Sequence, residues 1–164
     1  QWFDLKKDDP NYIINESIKA EKKINRFLDE VKEEYNLENK QICLSGFSQG
    51  CMMAINVGLT LEKNFNCIVG FSGKIINPDD LKIRKRNSTN ILLIHGDKDD
   101  IVSPTHLLEA KDFLLRERVS VESHLIKNCG HNIPIQASSI ALEYILKKEP
   151  FVLNDAIILF FLFS

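Results

Sequence analysis

The feature that most constrains the fold of this chain is the regular alternation of two hydrophobic periods along it. Four short apolar runs read as strands: QICLS at 41–45, NCIVGFSG at 66–73, ILLIHG at 91–96 and the segment 121–126. Between them the apolar residues recur at three- and four-residue steps, the period of a helix face. Ile13, Ser17, Ala20, Ile24, Phe27, Leu28, Val31 and Tyr35 predict a long helix that ends near Asn36, after a turn-like opening at Asp8-Asp9-Pro10-Asn11. Residues 52–61 predict a second helix, 104–116 a third that starts at a proline, and 135–148 a last one. The segment 74–89 is polar, contains Pro78 and a basic run, and reads as a loop. Strands that are continuous apolar runs are covered on both faces. Their alternation with helices therefore predicts an α/β fold with a mainly parallel sheet flanked by helices.

Length and composition bound the rest. A chain of 164 residues with 44% hydrophobic and 27% charged residues is that of an ordinary globular protein with a real core. With neither repeat, linker nor low-complexity block, it reads as one domain over 1–164, with 151–164 as an apolar tail. A formal net charge of −2 gives no electrostatic reason to expect nucleic acid or an anionic membrane as a partner. Cys43, Cys51, Cys67 and Cys129 are scattered and mostly lie in apolar runs. They are expected as buried free thiols, which fits a cytoplasmic location. No signal peptide is visible at the start, and the tail FVLNDAIILFFLFS is too short for a membrane span and is interrupted by Asn154 and Asp155. The tail is expected either to pack on exposed core or to be a reading-frame scar.

The chemistry-bearing pattern is Gly46-Phe47-Ser48-Gln49-Gly50, a G-x-S-x-G set between a predicted strand and a predicted helix. A serine there sits on a tight turn that projects its hydroxyl above the sheet, and the flanking glycines relieve the crowding. The helix that follows favours the negative charge of acyl transfer at its N-terminus. A bland alternative is a small-residue turn whose serine caps that helix. A serine nucleophile needs a base, and the base needs an orienting carboxylate. Of four histidines, His131 is the best placed, in a glycine-flanked loop directly after the fourth strand. His106 and His124 lie within a helix and a strand and read as surface or packing residues. His95, at a strand end, is expected to fix its loop by hydrogen bonding. For the acid, Asp97, Asp99 and Asp100 all compete, and residue chemistry alone leaves the choice open. The basic run Lys82, Arg84, Lys85 and Arg86 reads as a solvated loop rather than a phosphate site. No nucleotide-binding glycine motif or metal-ligand spacing is present.

LSGFSQGCMMA, ILLIHGDKDDIV and Gly130-His131, with the opening WFDL and the FSG at 71–73, together resemble the acyl-protein thioesterase, phospholipase and carboxylesterase family of α/β-hydrolases. The resemblance runs from Trp2 to about Lys148. It implies Ser48 as nucleophile, His131 as base, Asp99 as orienting acid and the backbone N–H of Gln49 as one donor of the oxyanion hole, with no cofactor. It implies substrates that are acyl esters, lysophospholipids or S-acylated proteins, with acylated proteins as partners. Family members carry further strands and an H-G-rich loop before the WFD segment, so the chain is expected to be an α/β-hydrolase domain lacking its N-terminal strands. Lys74-Ile75-Ile76 stands where the family has an aromatic-Leu-Pro stretch at the acyl site. Two functional readings follow: a working ester or thioester hydrolase, or a non-catalytic remnant acting as an interaction module.

Overall fold

The computed structural model describes residues 2–4, 9–147 and, for the backbone, 157–161. Helix α1 spans Pro10–Tyr35, strand β1 Ile42–Phe47, helix α2 Gln49–Thr60 and strand β2 Cys67–Phe71. Helix α3 spans Pro78–Arg84, β3 Ile91–Gly96, α4 Thr105–Arg116, β4 Val121–Ile126, α5 Ile135–Lys147 and β5 Ile157–Phe161. The strands form one sheet in the order β4-β3-β2-β1-β5, and each adjacent pair is parallel. The expected parallel α/β architecture is thus present.

Alternation along the strands sorts the core into two layers. Ile42, Leu44, Ile68, Ile91 and Leu93 pack with Ala20, Ile24 and Leu28 of α1, the apolar residues of α2, and Leu107, Phe113 and Leu114 of α4. Their neighbours Cys43, Cys67, Val69, Phe71, Leu92 and Ile94 face the other way, onto Ala137, Ala141, Tyr144 and Ile145 of α5. Helix α2 is buried all round except at its last residue, with Met52 and Met53 as core residues. All four cysteines are free and buried, as expected, and the sulfurs of Cys43 and Cys67 lie 3.3 Å apart on paired strands.

Three expectations are corrected. The segment 74–89 is not a loop throughout. Asn77 accepts a hydrogen bond from the Asp80 N–H as N-cap, Pro78 takes the first helical position, and Leu81 anchors α3 in the core. The acidic first turn and basic last turn, Asp79-Asp80 and Lys82–Arg84, complement the helix dipole. The second correction concerns Arg84, which is no solvated loop residue. Its guanidinium holds both oxygens of Glu21 on α1 at 2.8 Å and Asp80 at 2.8 Å, while Asn56 of α2 donates to Glu21 at 3.1 Å. The third is β4, which is a sheet edge rather than a strand covered on both faces. Glu122, His124 and Leu125 are exposed and Ile126 is buried. Helix α1 also starts earlier than the apolar period implies, because Asp9 caps it and Pro10 begins it.

Of the tail, 151–156 and 162–164 lie outside the described residues, as does Asp8 of the opening turn. The backbone of Ile157–Phe161 runs beside β1 in parallel register, Ile42 opposite Ile157 and Gly46 opposite Phe161.

The Glu21–Arg84 pair joins three helices around a carboxylate that is 5% exposed. Removing the cation strands a buried charge, so Arg84→Met is expected to destabilise the fold by about 3 kcal/mol, the low end for a broken buried pair because the guanidinium is partly exposed. Urea denaturation measures this, and a loss below about 1 kcal/mol, the value of a surface pair, contradicts it.

Candidate active site

The turn after β1 is built by close contact. A Cβ on Gly46 would lie 2.2 Å from the carbonyl carbon and oxygen of Gly50, so only glycine lets the strand end meet the start of α2. Between them Ser48 adopts φ 54°, ψ −118°, a conformation that costs a non-glycine residue about 1–3 kcal/mol. The turn is held by the Ser48 N–H donating to Phe71 O on β2 at 2.8 Å and by the Met52 N–H donating to Ser48 O at 3.2 Å. The serine is half-buried at the C-terminal edge of the parallel sheet. Gln49 occupies the first position of α2, where a backbone N–H has no acceptor within the helix.

The loops after β3 and β4 bring the other residues to the same edge. His131 and Asp99 are hydrogen-bonded: Nδ1 lies 2.8 Å from one carboxylate oxygen and 3.0 Å from the other. The imidazole also packs on the Phe47 ring, centroid to centroid 4.7 Å, which sets it against the residue preceding Ser48. Since a carboxylate only accepts, Nδ1 carries the proton, and in the neutral ring Nε2 is left with its lone pair.

Of the three competing aspartates only Asp99 is buried; Asp97 and Asp100 are exposed, and Asp97 accepts from the Cys129 N–H at 3.3 Å. Asp99 also receives the N–H groups of Ile101 and Val102 at 3.0 and 2.9 Å. Burial pushes its carboxyl up. The hydrogen bonds from Val102 N–H, His131, Ile101 N–H and the Ser72 side chain outweigh that and hold it below the ordinary carboxylate value. His95, buried, donates from Nε2 to Val102 O at 2.8 Å, with Asp99 3.2 Å away. It therefore fixes the acid loop, as expected at the end of a strand, and burial lowers its pKa so that it stays neutral at pH 7. Gly96 keeps the two loops together, since a Cβ there would lie 2.2 Å from Cys129 O. His106 and His124 lie elsewhere, on α4 and β4, and His106 pairs with Glu109 at 2.7 Å.

Two contributions escaped sequence reasoning. Ser72, buried directly after β2 with φ 48°, helps to hold the Asp99 carboxyl below its ordinary value. Its signal was its place directly after a strand, at the edge where the other loops gather. The Gln49 side chain is bonded to the backbone of Trp2 and Phe3. Among the described residues no cluster of His, Cys, Asp and Glu is arranged to hold a metal, and no helix is long and apolar enough to cross a membrane.

The sequence profile of the Phospholipase/Carboxylesterase family matches residues 1–148. The chain belongs to this family. Acyl-protein thioesterase 1 of Saccharomyces cerevisiae is 32% identical over 117 residues, which are 68% of this chain and 52% of the yeast protein. That of Yarrowia lipolytica is 24% identical over 88% of this chain and 66% of its own length. The chain thus spans about half to two thirds of the length of the curated relatives it matches. Among solved structures, esterase PE8 superposes with a TM-score of 0.85 at 29% identity, over 90% of this chain and 70% of PE8. Zea mays acyl-protein thioesterase 2 shares the fold with a TM-score of 0.66 at 20% identity, over 90% of this chain and 71% of its own. The fold is that of the α/β-hydrolase esterases.

Two predictions test the geometry. Gly46→Ala forces a Cβ into the Gly50 backbone and is expected to lower the melting temperature sharply, whereas Gly130→Ala, whose Cβ meets only Lys98 O at 3.8 Å, is expected to leave it nearly unchanged. Because the folded-state pKa of Asp99 lies below 3.8, its charge stabilises the fold fully above that value and ceases to do so as pH falls through the lowered one. The stability gap between parent and Asp99→Asn, from urea titrations, is therefore expected to be constant from pH 7 to about pH 5 and to narrow below it. A gap that widens on acidification contradicts this.

Proposed function

We propose that the chain is a serine hydrolase of carboxylic esters or thioesters, with Ser48 as nucleophile, His131 as general base and Asp99 as orienting acid. The observation that carries the reading is the Asp99–His131 pair at 2.8 Å, its imidazole packed at a tilt on Phe47, the residue before the strained serine. In the proposed cycle the Ser48 hydroxyl loses its proton to His131 Nε2 as Oγ attacks the acyl carbonyl. Asp99 fixes the tautomer and stabilises the imidazolium. The backbone N–H of Gln49 and the start of α2 stabilise the tetrahedral oxyanion. The imidazolium returns the proton to the departing alkoxide or thiolate, leaving an acyl-serine. Water, deprotonated by the same imidazole, then cleaves it to the carboxylic acid and free Ser48. Every proton is accounted for by His131, so the cycle calls for no cofactor.

The names of the relatives, esterase and acyl-protein thioesterase, support an ester or thioester of an acyl group as substrate, with S-acylated proteins and lysophospholipids as members of that class. Four buried free thiols fit a cytoplasmic setting.

Labelling by a fluorophosphonate, read by intact mass, tests the proposal. One adduct is expected on the parent and none on Ser48→Ala. His131→Ala is expected to label about 10²–10⁴ times more slowly, the contribution of a positioned base. A folded parent that takes no adduct would overturn the proposal and leave a non-catalytic interaction module as the reading.

A further inference from the structure

Gln49 carries a second feature that its backbone role does not use. Its side chain is 4% exposed, and a buried primary amide must find partners for both its oxygen and its nitrogen. Both partners come from one dipeptide: the Trp2 N–H donates to Oε1 at 2.7 Å, and Nε2 donates to Phe3 O at 2.8 Å. The carboxamide thus clamps the bend at Trp2-Phe3 from one side, accepting from the first residue and donating to the second. Phe3, 5% exposed, is inserted in the same core layer as Cys51 of α2, and Trp2 packs half-buried on that layer. The segment consequently lies beside the first turn of α2, one residue from Ser48 and more than forty positions away in sequence.

We propose that the Gln49 carboxamide is a positioning residue that pins Trp2-Phe3 against the nucleophile turn and so sets Trp2 as one wall of the space that receives the acyl chain. The wall rests on the hydrolase reading above; the pin does not. Methionine at 49 keeps the side-chain length and apolar packing but forms neither bond. Glutamate keeps an acceptor for the Trp2 N–H and sets a carboxylate oxygen against Phe3 O.

Trp2 is the only tryptophan of the chain, so its emission reports on this segment alone. Gln49→Met and Gln49→Glu are compared with the parent in Trp2 emission and acrylamide quenching, with circular dichroism and thermal unfolding confirming that each variant is folded. Ser48 labelling by an octyl and by a methyl fluorophosphonate is timed in parallel, with Trp2→Ala added. The expected result is red-shifted, more readily quenched emission in both Gln49 variants. In those variants and in Trp2→Ala, the preference for the octyl reagent is expected to fall by at least about tenfold, the size of a lost apolar contact. Unchanged emission and quenching in folded Gln49→Met overturns the pin. Altered emission with unchanged chain-length preference overturns the wall. A parent that neither reagent labels overturns the hydrolase reading, while the emission comparison still decides the pin.

Discussion

The approach of Gly46 to Gly50 is the contact from which the rest of the site follows. Strand β1 is central enough to be paired on both sides, by β2 and by β5, and α2 is buried almost all round. Neither element can shift to make room, so the backbone that joins them must turn within the residues between two glycines. That confinement drives Ser48 to a positive φ. The strain is tolerable only because the surrounding packing over-determines it, through the bond to Phe71 O and the helix that begins at the next residue. The same turn starts α2 at Gln49, whose backbone N–H has no acceptor within the helix.

Asp99 performs the equivalent task for the loops. Three donors converge on it, the Ile101 and Val102 N–H groups and the His131 imidazole, with His95 Nε2 3.2 Å away. Desolvation alone would favour the protonated acid. The donors reverse that, and in doing so tie the loops after β3 and β4 to a single carboxylate. Burial of His95 matters here too, because it favours the neutral imidazole, which braces the loop through Val102 O.

Much of this was legible in the residues. Apolar runs at Ile42–Phe47, Cys67–Phe71 and Ile91–Gly96 have no polar alternation, and all three are central strands of a parallel sheet. Val121–Ile126 reads VESHLI, and its polar residues, with Glu122 and His124 exposed, distinguish it as the edge strand. Helix α3 was hidden because it carries a single buried apolar residue, Leu81, and is announced by its caps rather than its period. Arg84 is indistinguishable in sequence from its basic neighbours; only the placement of α1 and α3 reveals that Glu21 is waiting for it. Among Asp97, Asp99 and Asp100 the residue types are identical, and burial together with the two backbone donors distinguishes Asp99. Ser72 and the Gln49 carboxamide act across strands and across the chain, at separations that no local pattern encodes.

We propose that Ser48, His131 and Asp99 act as one unit that passes an acyl group through the serine. The most direct test is mass spectrometry of the chain quenched during turnover of p-nitrophenyl acetate, with peptide mapping of the acetylated site, on the parent, Ser48→Ala, His131→Ala and the double variant. A transient acetyl group is expected on the Ser48 peptide of the parent. Single and double variants are expected to be equally impaired in nitrophenol release, as for residues that work together. Acetyl transfer to another residue, or losses in the two single variants that multiply in the double, would contradict the proposal.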